Sequence, residues 1–152
     1  MIDWHQMIAP EARAADLLAS ACETARTSVR EWIAGVVQGL TGNAPLTEML
    51  SWSAKEEAAR AWLADPTTPV PGLLAGEAQV TGEDPAVLAA RVVAIADAWR
   101  AAQAMLTGLR RRADTALAKA ATPAEVTATL QAIMADAEGI ARKLGADSLG
   151  AG

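Results

Sequence analysis

The chain has 152 residues, a net charge of −5 at pH 7 and a hydrophobic fraction of 52%, with no Phe or Tyr. That length fits one domain, and the acidic balance argues against a general nucleic-acid binder, which normally presents a basic face. Much of the hydrophobic fraction is alanine, the best helix former, whereas the residues that favour strands are scarce. The composition therefore predicts an all-α protein.

The first nine residues form an apolar leader that precedes any helical pattern. Its apolar side chains are Ile2, Trp4, Met7 and Ile8. Exposed aromatic and aliphatic residues of this kind are typical of segments that dock onto a partner. The alternative is that the leader folds back onto the first helix.

A first helix is predicted over residues 10–39. Pro10 and Glu11 suit its first turn, and Gly42 with Asn43 closes it. Apolar residues separated by three and four positions form a seam along one side of the helix. They are Ala15, Leu18, Cys22, Ala25, Val29, Trp32 and Val36.

Two shorter helices are predicted next, over 46–64 and 72–80. For the first of them two starts are open, because Thr47 can begin the helix, or Ser53 can do so with Glu56 in a capping box. A proline-rich loop separates the two helices.

The longest helix is predicted over 85–121. Asp84 is its N-cap and Pro85 its first residue. At 1.5 Å per residue such a helix is about 50 Å long, which is more than a small globular domain needs. Its seam residues include Leu88, Val92, Ile95, Trp99, Leu106 and Leu109.

A last helix is predicted over 123–144, because Thr122 and Glu125 form a capping box. Gly145 is a natural end for it, and 146–152 is expected to be a flexible tail. The seam of this helix includes Leu130, Ile133 and Ile140.

These seams predict one helical domain over 10–145, and two architectures satisfy them. One is a helical hairpin or bundle closed within the chain, and the other is an oligomeric coiled coil in which like helices meet. The length of the fourth helix favours self-association, and we expect a homo-oligomer, preferably a trimer.

No residue pattern predicts catalysis, a cofactor or a metal site. His5 is the single histidine, and Cys22 lies on a helix seam, where a buried thiol is the simplest interpretation. The basic cluster Arg110–Arg112 is interpreted as a solvent-exposed helix face that Asp114 partly compensates. We expect neither an enzyme nor a nucleic-acid partner.

Several stretches resemble small, Ala-rich phage and prophage tail-region proteins. Met1–Trp4 and Ile8–Ala15 are similar to the opening of such proteins, and Glu48–Trp52, Leu106–Arg111 and Ala120–Val126 have the same character. The resemblance implies a structural or assembly role at a tail fibre or baseplate, with other tail proteins as partners. It implies no catalytic residues.

The expected function is therefore a structural component of a phage or prophage tail that self-associates through its helices and docks by its leader. The alternative is an assembly chaperone for the tail or its fibres that is not retained in the virion. Because no signal peptide and no membrane span are recognisable, we expect the host cytoplasm during assembly and then the virion tail.

Overall fold

The computed structural model describes residues 9–149 and the side chains of residues 9–145. This part of the chain contains helices and no strand, which confirms the all-α fold class. The predicted leader, with Ile2, Trp4, Met7 and Ile8, lies outside the described residues. The helices are α1 (Pro10–Leu40), α2 (Leu46–Ala64), α3 (Gly72–Thr81), α4 (Pro85–Leu117) and α5 (Pro123–Leu149).

Helix α2 has the predicted bounds, 46–64, but neither of the two candidate capping side chains begins it. The helix begins at Leu46, and the Pro45 carbonyl accepts the N–H groups of Glu48 and Met49 at 3.0 Å each. Backbone atoms therefore satisfy the first turn, and a side-chain cap from Thr47 or Ser53 is not required.

The turn between α4 and α5 begins earlier than predicted. Helix α4 ends at Leu117 rather than at residue 121, and the N–H of Ala120 then reaches the Leu117 carbonyl at 3.2 Å, a tighter three-residue turn. The predicted capping box forms in part at the start of α5, because the Thr122 half is present and Glu125 bonds to the residue before the cap. Thr122 Oγ1 accepts the Glu125 N–H at 3.2 Å, and Glu125 Oε2 accepts the N–H of Ala121 at 2.7 Å.

Helix α5 continues past its predicted end. Gly145 does not adopt the left-handed conformation that a C′ glycine would need, and the helix extends to Leu149. The prediction of a tail that starts at residue 146 is wrong for 146–149, because no proline or left-handed residue interrupts the helix there.

The described chain divides into two compact units, whereas the sequence predicted one domain over 10–145. Unit 1 contains residues 9–37 and Met105–Gly145, and unit 2 contains Gln38–Ala104 together with the described residues 146–149. Helix α4 contributes its C-terminal part to unit 1 and its N-terminal part to unit 2.

Unit 1 has a core made by α1, α4 and α5. The predicted seam residues Leu109 and Ile133 are buried there, and Leu130 and Ile140 pack against it with partial exposure. Leu106 is also buried. The fully assembled core consists of Cys22, Ala25, Val29, Leu109, Ala113, Leu117, Val126, Ile133 and Ala137.

Unit 2 has a separate core made by α2, α3 and α4. Trp62 is buried in it and donates its Nε1–H to the Thr68 carbonyl at 3.0 Å, which fixes the proline-rich loop against α2. The core consists of Ala59, Trp62, Leu74, Ala78, Leu88 and Ala89, and Val70, Val92 and Val93 pack against it.

Ile95 is a correction to the predicted seam. Its exposed fraction is 57%, so it takes no part in the core of unit 2. The core face of α4 includes Ala89 and Val93, which places its centre about 90° around the helix from Ile95. The burial of Ala89 could not be predicted from the sequence, because alanine occupies both buried and exposed positions of this chain.

Candidate functional site

A closed ring of charged side chains connects α2 and α4 in unit 2. Glu56 is largely buried and accepts hydrogen bonds at Oε1 from Arg60 Nε, at 2.7 Å, and from Arg100 Nη2. Asp97 Oδ1 completes the ring, because Arg60 Nη2 lies 2.5 Å from it and Arg100 Nη1 3.3 Å. Two carboxylates thus neutralise two guanidinium groups.

The ring determines the protonation state of Glu56. The hydrogen bond from Arg100, followed by that from Arg60, lowers the pKa of the Glu56 carboxyl below its ordinary value, against the opposing effect of burial. The pKa of Arg60 is raised in turn, mainly by its hydrogen bond to Glu56. A carboxylate that is ionised and doubly hydrogen-bonded is a poor proton donor, so the ring is suited to holding helices together.

The interpretation of Glu56 as a helix cap is therefore wrong. Glu56 lies in the middle of α2, and its partners are Arg60, four residues later, and Arg100 from another helix. The spacing of Glu56 and Arg60 was a usable signal in the sequence, because charges four apart meet on one helix face. Arg100 carried no such signal.

Two tryptophans meet beside this ring. The rings of Trp52 and Trp99 have centroids 6.3 Å apart and planes at 85°, an edge-to-face pair. Trp99 was predicted as a seam residue, and its partly buried side chain has this aromatic contact with α2.

Two further ion pairs lie in unit 2. Lys55 Nζ is 2.5 Å from Glu77 Oε2 and joins α2 to α3. Arg91 Nη1 is 2.6 Å from Glu83 Oε1, and its hydrogen bond lowers the pKa of the Glu83 carboxyl. The charged side chains of this unit are thus used largely against one another.

Helix α4 is apolar on a second side within unit 2. Val87 is 59% exposed and Ile95 57%, although both are large aliphatic residues. Arg91 lies directly between them on the helix surface, and exposed alanines extend the face to one side, where Asp97 borders it. We call this surface the α4 outer face; it consists of Val87, Ala90, Ala94, Ile95, Ala98 and Ala101.

Other large apolar side chains of unit 2 are also exposed. Leu46 and Leu50, one turn apart on α2, are 69% and 74% exposed, and Val80 at the end of α3 is 88% exposed. Scattered exposed aliphatic residues are common in proteins, so α2 and α3 carry less weight than the longer α4 outer face.

An open, shallow patch lies on one exposed side of α4 within unit 1. Arg112 pairs with Asp136 of α5 at 2.9 Å, and the neighbouring Arg110 pairs with Asp114 at 3.3 Å, as the sequence suggested. Arg111 and Lys119 have no ion-pair partner among the described side chains. We call this surface the α4 basic patch; it consists of Gly108, Arg111, Arg112, Thr115, Ala116 and Lys119.

Cys22 was interpreted as a buried thiol and is buried in unit 1, where its Sγ lies 3.7 Å from the Leu117 carbonyl oxygen. His5 lies outside the described residues. Within the part of the chain that the structure describes, no three His, Cys, Asp or Glu side chains are grouped as a metal site would require.

None of the described helices is both long enough and apolar enough to span a membrane.

Comparison of the chain with protein-family models, curated protein sequences and solved structures finds no match.

Proposed function

We propose that this chain is a structural α-helical protein that self-associates through the α4 outer face, and that the assembly it serves is a phage or prophage tail. The observation that carries the first part is the exposure of Val87, Ile95 and the alanines beside them. The second part is supported by the sequence resemblance alone.

A helix on the surface of a soluble protein normally has polar residues on the side away from its core. Helix α4 has Leu88 and Ala89 in the core of unit 2, and Val87 and Ala94 on the outer face. A helix that is apolar on both sides is typical of an element covered on both sides. Burial of Val87 and Ile95 in an interface would remove this unfavourable exposure.

The occupant that fits this face is a second copy of the same helix. Val87, Ala94 and Ala101 recur at seven-residue intervals, the repeat at which like helices pack along a common seam. Small side chains allow two helix axes to approach closely. Most soluble oligomers are homo-oligomers, and a trimer is the state that we expect.

The tail assignment rests on Met1–Trp4, Ile8–Ala15 and the later stretches that resemble tail-region proteins. In this proposal the leader, with Trp4 and Ile8, contacts a neighbouring tail protein while α4 joins the copies. Both contacts suit a component that is built into a larger particle.

Self-association is tested by introducing charge into the α4 outer face. We expect the unmodified chain to sediment as an oligomer and Ala94→Glu/Ala98→Glu to weaken association by at least about tenfold, because it places carboxylates in an apolar interface. The matched control is Ala128→Glu/Ala135→Glu, which alters two exposed alanines of α5. A monomer at every concentration, or an unaffected double variant, would refute self-association through this face.

The tail assignment is tested by quantitative mass spectrometry of purified particles. A fixed copy number per particle is expected for a structural component. Detection in the unassembled fraction alone would favour the assembly chaperone instead, and detection in neither would leave self-association as the surviving part of the proposal.

A further inference from the structure

We propose that the charged ring of Glu56, Arg60, Asp97 and Arg100 is an acid-sensitive switch: protonation of its two carboxylates releases α2 and α3 from α4, while unit 1 stays folded. The inference depends neither on self-association nor on the tail assignment. It is carried by the burial of Glu56, by the two cations that share its oxygen, and by the small apolar core of unit 2.

Glu56 is the buried charged residue of the part of the chain that the structure describes. Its side chain is 12% exposed, whereas the carboxylates that pair between helices in unit 1, Asp114 and Asp136, are 39% and 43% exposed. Loss of an exposed ion pair has little effect on stability, but loss of one partner from a buried charge network is strongly destabilising. Protonation of the carboxylates therefore weakens unit 2 more than unit 1.

Two cations face each other across Glu56. Arg60 Nε, from α2, and Arg100 Nη2, from α4, both donate to Oε1 of Glu56. Two nitrogens bonded to one oxygen lie no more than about 6 Å apart. Both guanidinium groups also pair with Asp97 Oδ1. Once Glu56 and Asp97 are protonated, the ring contains no anion, and the two guanidinium groups repel each other across the contact between α2 and α4.

The other ion pairs of unit 2 do not replace the ring in acid. From α3, Glu77 pairs with Lys55 of α2, and Glu83, which precedes α4, pairs with Arg91. Each of these pairs also needs an ionised carboxylate. The same fall in pH therefore weakens the contact of α3 with α2 together with the contact of α2 with α4.

The apolar core of unit 2 is small. Among the described side chains, three of its six buried residues are alanines, and three partly buried valines pack against it. The core of unit 1 has nine buried residues, among them Leu109, Leu117 and Ile133, and eight partly buried residues pack against it. Alanine buries less apolar area than leucine or isoleucine and stabilises correspondingly less. Unit 2 therefore depends more on its ion pairs than unit 1 does.

Unit 1 contains the basic cluster Arg110–Arg112, whose paired carboxylates are also protonated in acid. These three arginines are exposed. Salt screens the repulsion between exposed charges much more effectively than the repulsion between buried ones. At ordinary ionic strength the cluster is therefore not expected to open unit 1 in the pH range that opens unit 2.

The pH range follows from the carboxylates of unit 2. Hydrogen bonds from Arg100 and then Arg60 lower the pKa of Glu56, and the hydrogen bond from Arg91 lowers the pKa of Glu83. A carboxylate of this kind stabilises the fold fully above its ordinary pKa of 4.5 and loses this effect as the pH falls through its lower folded value. We therefore expect α2 and α3 to be released below pH 4.5.

The test is a pH titration of the full, isotopically labelled chain by NMR, which observes the amides of each helix separately. The pH is lowered from about 6.5 to about 2.5 in about 0.15 M salt, which screens the exposed charges of unit 1. We expect the amide signals of α2 and α3 to move to the positions of an unfolded chain, while those of α5 keep their folded positions. Titrations at two chain concentrations distinguish release of the helices from dissociation of an oligomer.

A ring variant and a matched control locate the switch. The ring variant replaces two carboxylates and two guanidinium groups by apolar side chains, which commonly preserves stability; it is Glu56→Met/Arg60→Met/Asp97→Ala/Arg100→Met. We expect its transition in α2 and α3 to lie at least about half a pH unit lower. The control removes two carboxylates and two guanidinium groups from unit 1 and should leave that transition unchanged; it is Arg110→Met/Arg112→Met/Asp114→Ala/Asp136→Ala.

Each outcome decides the inference. Release of α2 and α3 before α5, at a lower pH in the ring variant and at the same pH in the control, supports it. Simultaneous loss of the folded signals of α2, α3 and α5, or their retention at the lowest pH, would overturn it. So would a midpoint that follows the chain concentration, or a ring variant with the original midpoint. The comparison of α2 and α3 with α5 in the unmodified chain is decisive even if the ring variant does not fold.

Discussion

Glu56 is a largely buried carboxylate whose charge is matched by Arg60 and Arg100. Removing one partner of a buried charge pair leaves the others unmatched, which is the destabilising event in such networks. We therefore expect Glu56→Gln to lower the free energy of unfolding at neutral pH, as measured by urea denaturation. Glu57→Gln is the matched control, because Glu57 is exposed and adjacent.

The same variant has a defined pH dependence. The pKa of Glu56 is lowered by its hydrogen bonds to Arg100 and Arg60, so its contribution to stability is fully present above the ordinary carboxyl pKa of 4.5. The contribution is lost as the pH falls through the lower pKa of the folded state. The difference in unfolding free energy between the unmodified chain and Glu56→Gln should thus shrink in this acidic range. A difference that stays constant would contradict the assignment of the ionised state.

The sequence correctly predicted the environment of residues whose contacts are set by their own helix. Cys22 was expected on a helix seam and is buried, and Arg110 was expected to be compensated by Asp114 four residues later. Glu56 and Ile95 were misassigned because their environments depend on other helices.

Side-chain capping determines where α5 begins. Thr122 Oγ1 accepts the Glu125 N–H at 3.2 Å, which satisfies one backbone donor of the first turn. Thr122→Ala is expected to destabilise unit 1 by about 1 kcal/mol, the usual effect of removing a threonine cap. The measurement is thermal or urea unfolding followed by circular dichroism.

Thr127 provides the control for this substitution. Its hydroxyl donates to the Pro123 carbonyl within the same helix, at 3.1 Å, and is not a cap. Thr127→Ala should be neutral or slightly stabilising, because alanine is the better helix former and such bonds add little. Equal losses in the two variants would mean that the Thr122 bond does not stabilise the start of α5.

The starts of α2 and α4 were both predictable, whereas the groups that cap them were predictable only for α4. Asp84 Oδ1 accepts the Ala86 N–H at 2.7 Å, as its position before Pro85 predicted. Pro45, in contrast, caps α2 through its carbonyl, a role that its side chain does not reveal. The end of α4 at Leu117 was also missed, because the seam of alanines continues beyond it to Ala120.

The division of the chain into two units could not be predicted from the seams of apolar residues. The three- and four-residue spacing continues along α4, so the sequence predicted one domain. The structure assigns Leu88 and Leu109 of that helix to different cores. The spacing of apolar residues identifies which side of a helix is buried. It does not identify the helix that packs against that side, because the packing partner depends on the path of the chain between the two helices.

The two cores should respond separately to damage. Leu74 is fully buried in unit 2 and Leu117 in unit 1, and Leu→Ala at such positions commonly costs about 2–5 kcal/mol because a cavity remains. We expect Leu74→Ala to accelerate amide hydrogen exchange by at least about tenfold in α2 and α3 while the amides of α5 change little. Leu117→Ala should show the reverse pattern. Hydrogen exchange measured by mass spectrometry on the two variants distinguishes separate unfolding of the two units from fully cooperative unfolding. In fully cooperative unfolding, either substitution would accelerate exchange equally in α3 and α5.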